Sequence, residues 1–63
     1  MKWEEVTAGE YEAQGEQYYY RVKRNKALDK WVLGRRTSPD RKIMIFGVFP
    51  TFDAAVERAE NDG

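Results

Sequence analysis

Near Pro50 the spacing of apolar residues changes, and that change limits what a chain of 63 residues can build. From Tyr18 to Arg24 the side chains alternate. Tyr18, Tyr20 and Val22 fall on one side of an extended chain, while Tyr19, Arg21 and Lys23 fall on the other, which is the period of a β-strand. From Phe52 onward the apolar residues are Phe52, Ala55, Val56 and Ala59, spaced as one face of a helix. A short chain that passes once from the strand period to the helix period predicts a small sheet with a single helix laid on it.

The strand region divides at its turn signals. "NKALD" separates the first strand from "KWVLGRR", in which Trp31 and Leu33 face one way and Lys30 and Val32 the other. "TSPD" breaks the chain again: Pro39 suits an early turn position, and Ser38 and Asp40 can bond local backbone. "KIMIFGV" follows without polar alternation, the pattern of a strand covered on both faces or central in its sheet. Thr51 is the expected N-cap, with Asp53 at the positive end of the helix dipole, and the helix spans Phe52 to about Glu60. Ala55 and Ala59 let it lie close to the sheet while Phe52 and Val56 plug into it. Residues 1–17 are an acidic lead-in or one edge strand, with Gly9 and Gly15 as turn points. The expectation is a single α+β domain over 1–63: an antiparallel sheet of three or four strands, three of them within 18–49 and the fourth the lead-in if it pairs, with a C-terminal helix over 51–60 packed on one face.

One helix covers one sheet face only. In "IMIFGVF" the alternation points Ile43 and Ile45 one way and Met44, Phe46 and Val48 the other, so a second apolar row needs cover. The lead-in folding back with Trp3, Val6 and Tyr11 would cover it within a monomer. A second copy of the chain would cover it in a homodimer. The suitable aromatics of the lead-in favour the monomer.

Composition narrows the functional classes. The chain has no Cys, hence no disulfide, and nine aromatics supply apolar area in its place. No apolar run approaches the ~20 residues of a membrane span, and "MKWEEV" is acidic and aromatic where a leader peptide is basic and then apolar. These features predict a cytoplasmic protein without membrane contact. There is no His, which excludes Ser-His and Cys-His nucleophile pairs. Glu57, Glu60 and Asp62 lack the patterned loop of a calcium site, and the glycines form no phosphate-cradling motif. The expectation is a protein that is not an enzyme and takes no cofactor or metal.

Charge is distributed in blocks, although Lys and Arg equal Asp and Glu at 11 each. Residues 1–20 hold Lys2 against Glu4, Glu5, Glu10, Glu12 and Glu16. Residues 21–42 hold nine of the eleven cations against Asp29 and Asp40. Residues 43–63 hold Arg58 against Asp53, Glu57, Glu60 and Asp62. A basic sheet surface opposite the helix follows naturally, with Tyr19, Arg21, Lys23, Lys30, Arg35 and Arg36 as the candidate partner-binding or nucleic-acid-binding residues. The plainer alternative is that the acidic blocks pair with the basic one inside the fold, and that cations at strand edges deter edge pairing. Tyr18, Tyr20, Trp3 and Trp31 read as core and Met44 as packing, which leaves Tyr19 as the aromatic contact residue.

The aromatic and basic strand pair with Trp31, followed by "TFDAAVERA" after the last strand, resembles the AP2-like or arm-binding β-β-β-α domains of phage integrases. It also resembles short accessory proteins of bacteriophages and mobile elements. The resemblance covers about Tyr18 to Glu60 and implies a sheet face that docks DNA, at Arg21, Lys23, Lys30 and Arg35. The chain departs from that pattern in its neutral total charge, its acidic helix and its acidic lead-in. The expected function is therefore a non-enzymatic binding module, a phage-type or mobile-element accessory protein that contacts a host or phage protein. Nucleic-acid binding on the basic strand face is the alternative.

Overall fold

The computed structural model describes residues 1–62, in which the alternating stretches form five strands. These are β1 (Glu4–Thr7), β2 (Glu10–Gln14), β3 (Tyr19–Asn25), β4 (Lys30–Arg36) and β5 (Met44–Phe49), followed by α1 (Phe52–Glu60). Each strand pairs antiparallel with the next, so order along the chain and order across the sheet coincide. The α+β class is as expected, but the strand number is five where three or four were anticipated. The difference lies in the lead-in, which folds as a hairpin. Gly9, at φ 76°, takes the left-handed conformation that its turn requires, and its carbonyl accepts the Arg24 N–H at 2.8 Å. Tyr11 and Ala13 then alternate with Glu10, Glu12 and Gln14 against β3.

Register decides which side chains meet the helix. Val22 sits opposite Leu33, and both are fully buried at the centre of the sheet. Tyr20, Ala55 and Ala59 complete the buried cluster, with Trp3, Tyr18, Trp31, Phe46, Phe49 and Phe52 half-buried around it. Thr51 caps α1 by accepting the Ala54 N–H at 3.1 Å, as its position predicts. The two alanines reach the sheet surface, while Phe52 enters an aromatic group with Tyr11 at 4.5 Å, Trp31 at 5.4 Å and Trp3 at 6.3 Å between ring centroids. Val56 is only half-buried, so Ala55 and Ala59 form the closest line of approach.

Three expectations about β5 and its cover are corrected, the first being its place: it is an edge strand with one face exposed, where a central or doubly covered strand was expected. A bulge sets Leu33 opposite Gly47 and Gly34 opposite Ile45, leaving Phe46 as the extra residue. The bulge resets the alternation: Phe46 packs toward Tyr20 on the helix side, while Ile45 and Val48 share the other face. The lead-in does not cover that second face either. Its hairpin extends the sheet edgewise, and the pairing of Tyr11 with Val22 commits Tyr11 to the helix side, where Trp3 also packs. Val6 stays exposed.

Candidate interaction surface

The face opposite α1 is ordered by chemistry from one edge to the other. Residues paired across antiparallel strands share a face, so the registers can be followed as rungs. One rung runs Glu4, Glu12, Arg21, Gly34, Ile45, and the next runs Glu10, Lys23, Val32, Val48. Both pass from acidic through basic to apolar. A third carries Gln14, Tyr19 and Arg36. Gly34 leaves room for Ile43, whose Cγ2 lies 2.3 Å from where a Cβ at that position would stand. The result is an apolar band of Val32, Ile43, Ile45 and Val48 beside a basic band. Ile45 and Val48 are 55% and 53% exposed, large values for branched aliphatic side chains on a sheet. A shallow groove of about 370 Å³ runs between the bands, lined by Arg21, Lys23, Val32, Gly34 and Ile45 among others.

The candidate residues divide unevenly over this geometry. Tyr19, Arg21, Lys23, Lys30 and Arg36 belong to the open face by register, whereas Arg35 pairs with Tyr20 and belongs to the helix face. Tyr19 donates its hydroxyl to Glu12 and lies under the Arg36 guanidinium, 4.7 Å from its ring centroid. The Glu12 hydrogen bond pushes the Tyr19 hydroxyl's pKa upward, with burial adding to the effect. Arg21 stands 3.9 Å from Glu10. Lys23 and Lys30 are exposed and make no ion pair among the described residues.

Arg35 instead lies between the rings of Tyr18 and Phe46, at 4.2 and 4.6 Å, and donates to Asp62. Asp62 also accepts the Tyr20 hydroxyl at 2.8 Å. That bond, followed by those from Arg35, holds the Asp62 carboxyl below the usual carboxylate range. Burial and the same contact push Tyr20 up to about 12. This cluster ties the end of α1 to β3 and β4, so Arg35 has an internal partner.

Sequence reasoning missed the acidic members of the open face and the contribution of Val48. The alternation of Glu10 and Glu12 with Tyr11 and Ala13 was the available signal for the former. Gly47 inside "IMIFGVF" is a local sign of a bulge, but it does not say which neighbour is the extra residue or that Val48 turns outward. Among the described residues no three acidic side chains come together as a metal centre would require, and no helix is long and apolar enough to cross a membrane. Comparison with protein families, with curated proteins and with solved structures finds no match to this chain.

Proposed function

We propose that the chain is a non-enzymatic binding module that recognises another protein through the sheet face opposite α1, in the manner of a phage-type or mobile-element accessory protein. The observation that carries this reading is the contiguous band of Ile45, Val48 and Val32 beside the cations of β3 and β4. An exposed apolar band rimmed by charge is the usual composition of a protein contact, and the charge orients the partner as it arrives. The nucleic-acid alternative is less favoured by the same face. Glu4, Glu10 and Glu12 stand beside the basic band, where they would repel phosphates, and two of them engage Tyr19 and Arg21.

Selection from a displayed random-peptide library tests the reading. Wild type is expected to enrich a sequence family that the Ile45→Lys and Lys23→Glu variants do not retain. Enrichment of nothing that depends on these residues would overturn it. Titration of duplex and single-stranded DNA at two salt concentrations is the parallel arm, and steeply salt-dependent binding lost on Lys23→Glu would shift the function to nucleic acid.

A further inference from the structure

The two edges of the sheet are treated differently. β1, at one edge, is four residues long, carries Glu4 and Glu5 and is bulged between Glu5 and Thr7. Short length, charge and a bulge are how sheets deter pairing with another chain. β5, at the other edge, is six residues long and carries no charge and no proline. β5 is bulged too, at Phe46, so what sets it apart from β1 is its length and lack of charge; its outer side pairs with no strand among the described residues.

The surroundings of β5 have different chemistry on its two faces. On the open face Ile45 and Val48 are exposed. On the helix side Met44 is 67% exposed and borders a broad groove lined also by Arg35, Arg41 and Lys42, with Asp40 as its acidic member. Because Arg35 is engaged by Asp62, the cations left in that groove are Arg41 and Lys42, against Asp40. A strand added to β5 would send alternate side chains to these two faces.

We propose that β5 accepts an extended peptide of another protein as a sixth strand, and that the peptide alternates apolar with acidic residues. Its apolar side chains lie against Ile45 and Val48, and its carboxylates lie toward Arg41 and Lys42. Backbone pairing supplies the affinity and the alternation supplies the selectivity, as in other strand-addition complexes. A second copy of this chain is the poorer occupant, because β5 carries no carboxylate to set against Arg41 and Lys42. The inference rests on the reading of the chain as a protein-binding module and adds the mode and chemistry of the partner.

The probe is a fluorescent synthetic peptide of alternating Val and Glu, measured by anisotropy against the full chain. Binding in the micromolar range is expected. A Val and Lys counterpart, or the Val and Glu peptide N-methylated on alternate amides, is expected to bind at least about tenfold more weakly, a difference of about 1.4 kcal/mol. Val48→Lys and the pair Arg41→Glu with Lys42→Glu should each weaken the unmodified peptide by a comparable factor. Thermal melts establish that these exposed-site variants fold, and the N-methylated peptide tests the idea on wild type alone. Equal binding of the methylated and unmethylated peptides would mean docking on the face without strand addition, which overturns this inference and leaves the proposed function standing. Failure of the Val and Glu peptide while the library yields other face-dependent binders has the same meaning. Failure of both removes both. Sedimentation as a dimer that Val48→Lys dissociates would assign β5 to a second copy and overturn the inference.

Discussion

Replacing Asp62 by Asn should loosen the far end of α1, and the size of the effect can be worked from the contacts. The Asp62 side chain is 8% exposed and accepts from Tyr20 at 2.8 Å and from Arg35, with Arg58 at 3.4 Å. A hydrogen bond to a charged group contributes about 1.5–3 kcal/mol. Both donors reach the same carboxylate oxygen, so the Asn carbonyl can keep both as a neutral acceptor, and each bond loses the charged part of its strength, about 1 kcal/mol. A net cost of about 2 kcal/mol follows, and in a domain of this size it lowers Tm by roughly 8–16 °C. The contribution of Arg58 is small because that pair lies at the surface. The effect must also depend on pH. The Asp62 carboxyl is held below its ordinary range in the folded chain, by Tyr20 first and Arg35 next, so the native state favours the ionised form. Its stabilisation is complete above the unfolded pKa of about 4 and is lost as pH falls through the lower folded value. Urea unfolding followed by tryptophan fluorescence at pH 7 should separate wild type from Asp62→Asn, and the separation should shrink as pH is lowered from about 4. A gap that is the same in strong acid, or absent at neutral pH, would refute the clamp.

Other consequences are open to the same methods. Because burial and Asp62 push Tyr20 up to about 12, its contribution is complete below the unfolded pKa of about 10 and is lost between the two values. Wild type should therefore lose about 2–3 kcal/mol relative to Tyr20→Phe over that interval, read from urea midpoints at its two ends. Gly34→Ala places a Cβ 2.3 Å from Ile43 Cγ2 and should cost about 1–3 kcal/mol, most of it recovered when Ile43→Ala is added. Ala55→Asp puts a carboxylate at a fully buried position and should abolish the helical circular dichroism signal, while Val56→Asp, at the half-buried neighbour, should leave a folded but less stable chain.

The parts of the fold that were legible in the sequence are those that local pattern determines. Tyr20 and Val22 alternate with Tyr19, Arg21 and Lys23 as β3 requires, and Thr51 with the spacing of Phe52, Ala55 and Ala59 defines α1. The features that were not legible depend on pairing. Phe46 becomes the bulge residue because β4 aligns Gly34 with Ile45 and Leu33 with Gly47; the isolated Gly47 hints at a bulge but does not fix its place. Arg35 was grouped with the other cations by proximity in sequence. Its register opposite Tyr20 commits it to the helix face, where Asp62, distant in sequence, becomes its partner. Of the candidate site, Tyr19, Arg21, Lys23, Lys30 and Arg36 share the open face, but the glutamates that engage two of them come from a hairpin that the glycine-interrupted, acidic lead-in disguised.

The neutral total charge also has a structural meaning. The amino-terminal acidic block reaches the basic block on the open face, where Glu10 and Glu12 meet Arg21 and Tyr19. The carboxy-terminal acidic block reaches it on the helix face, where Asp62 meets Arg35 and Arg58. Both cancellations act on the side of the molecule near β2 or near the end of α1. Lys2, Lys23, Lys26, Lys30, Arg36, Arg41 and Lys42 enter no ion pair among the described residues, and four of these seven lie on β4 or in the connection to β5. Uncancelled positive charge is thus displaced toward the edge where the apolar band is exposed. Attraction between charges at the surface extends about 10 Å at moderate salt, whereas apolar contact acts only on touching surfaces. On the proposed reading, an approaching acidic segment would therefore be drawn to that edge before its apolar residues met Ile45 and Val48, and the charge blocks would orient a partner that the net charge does not attract.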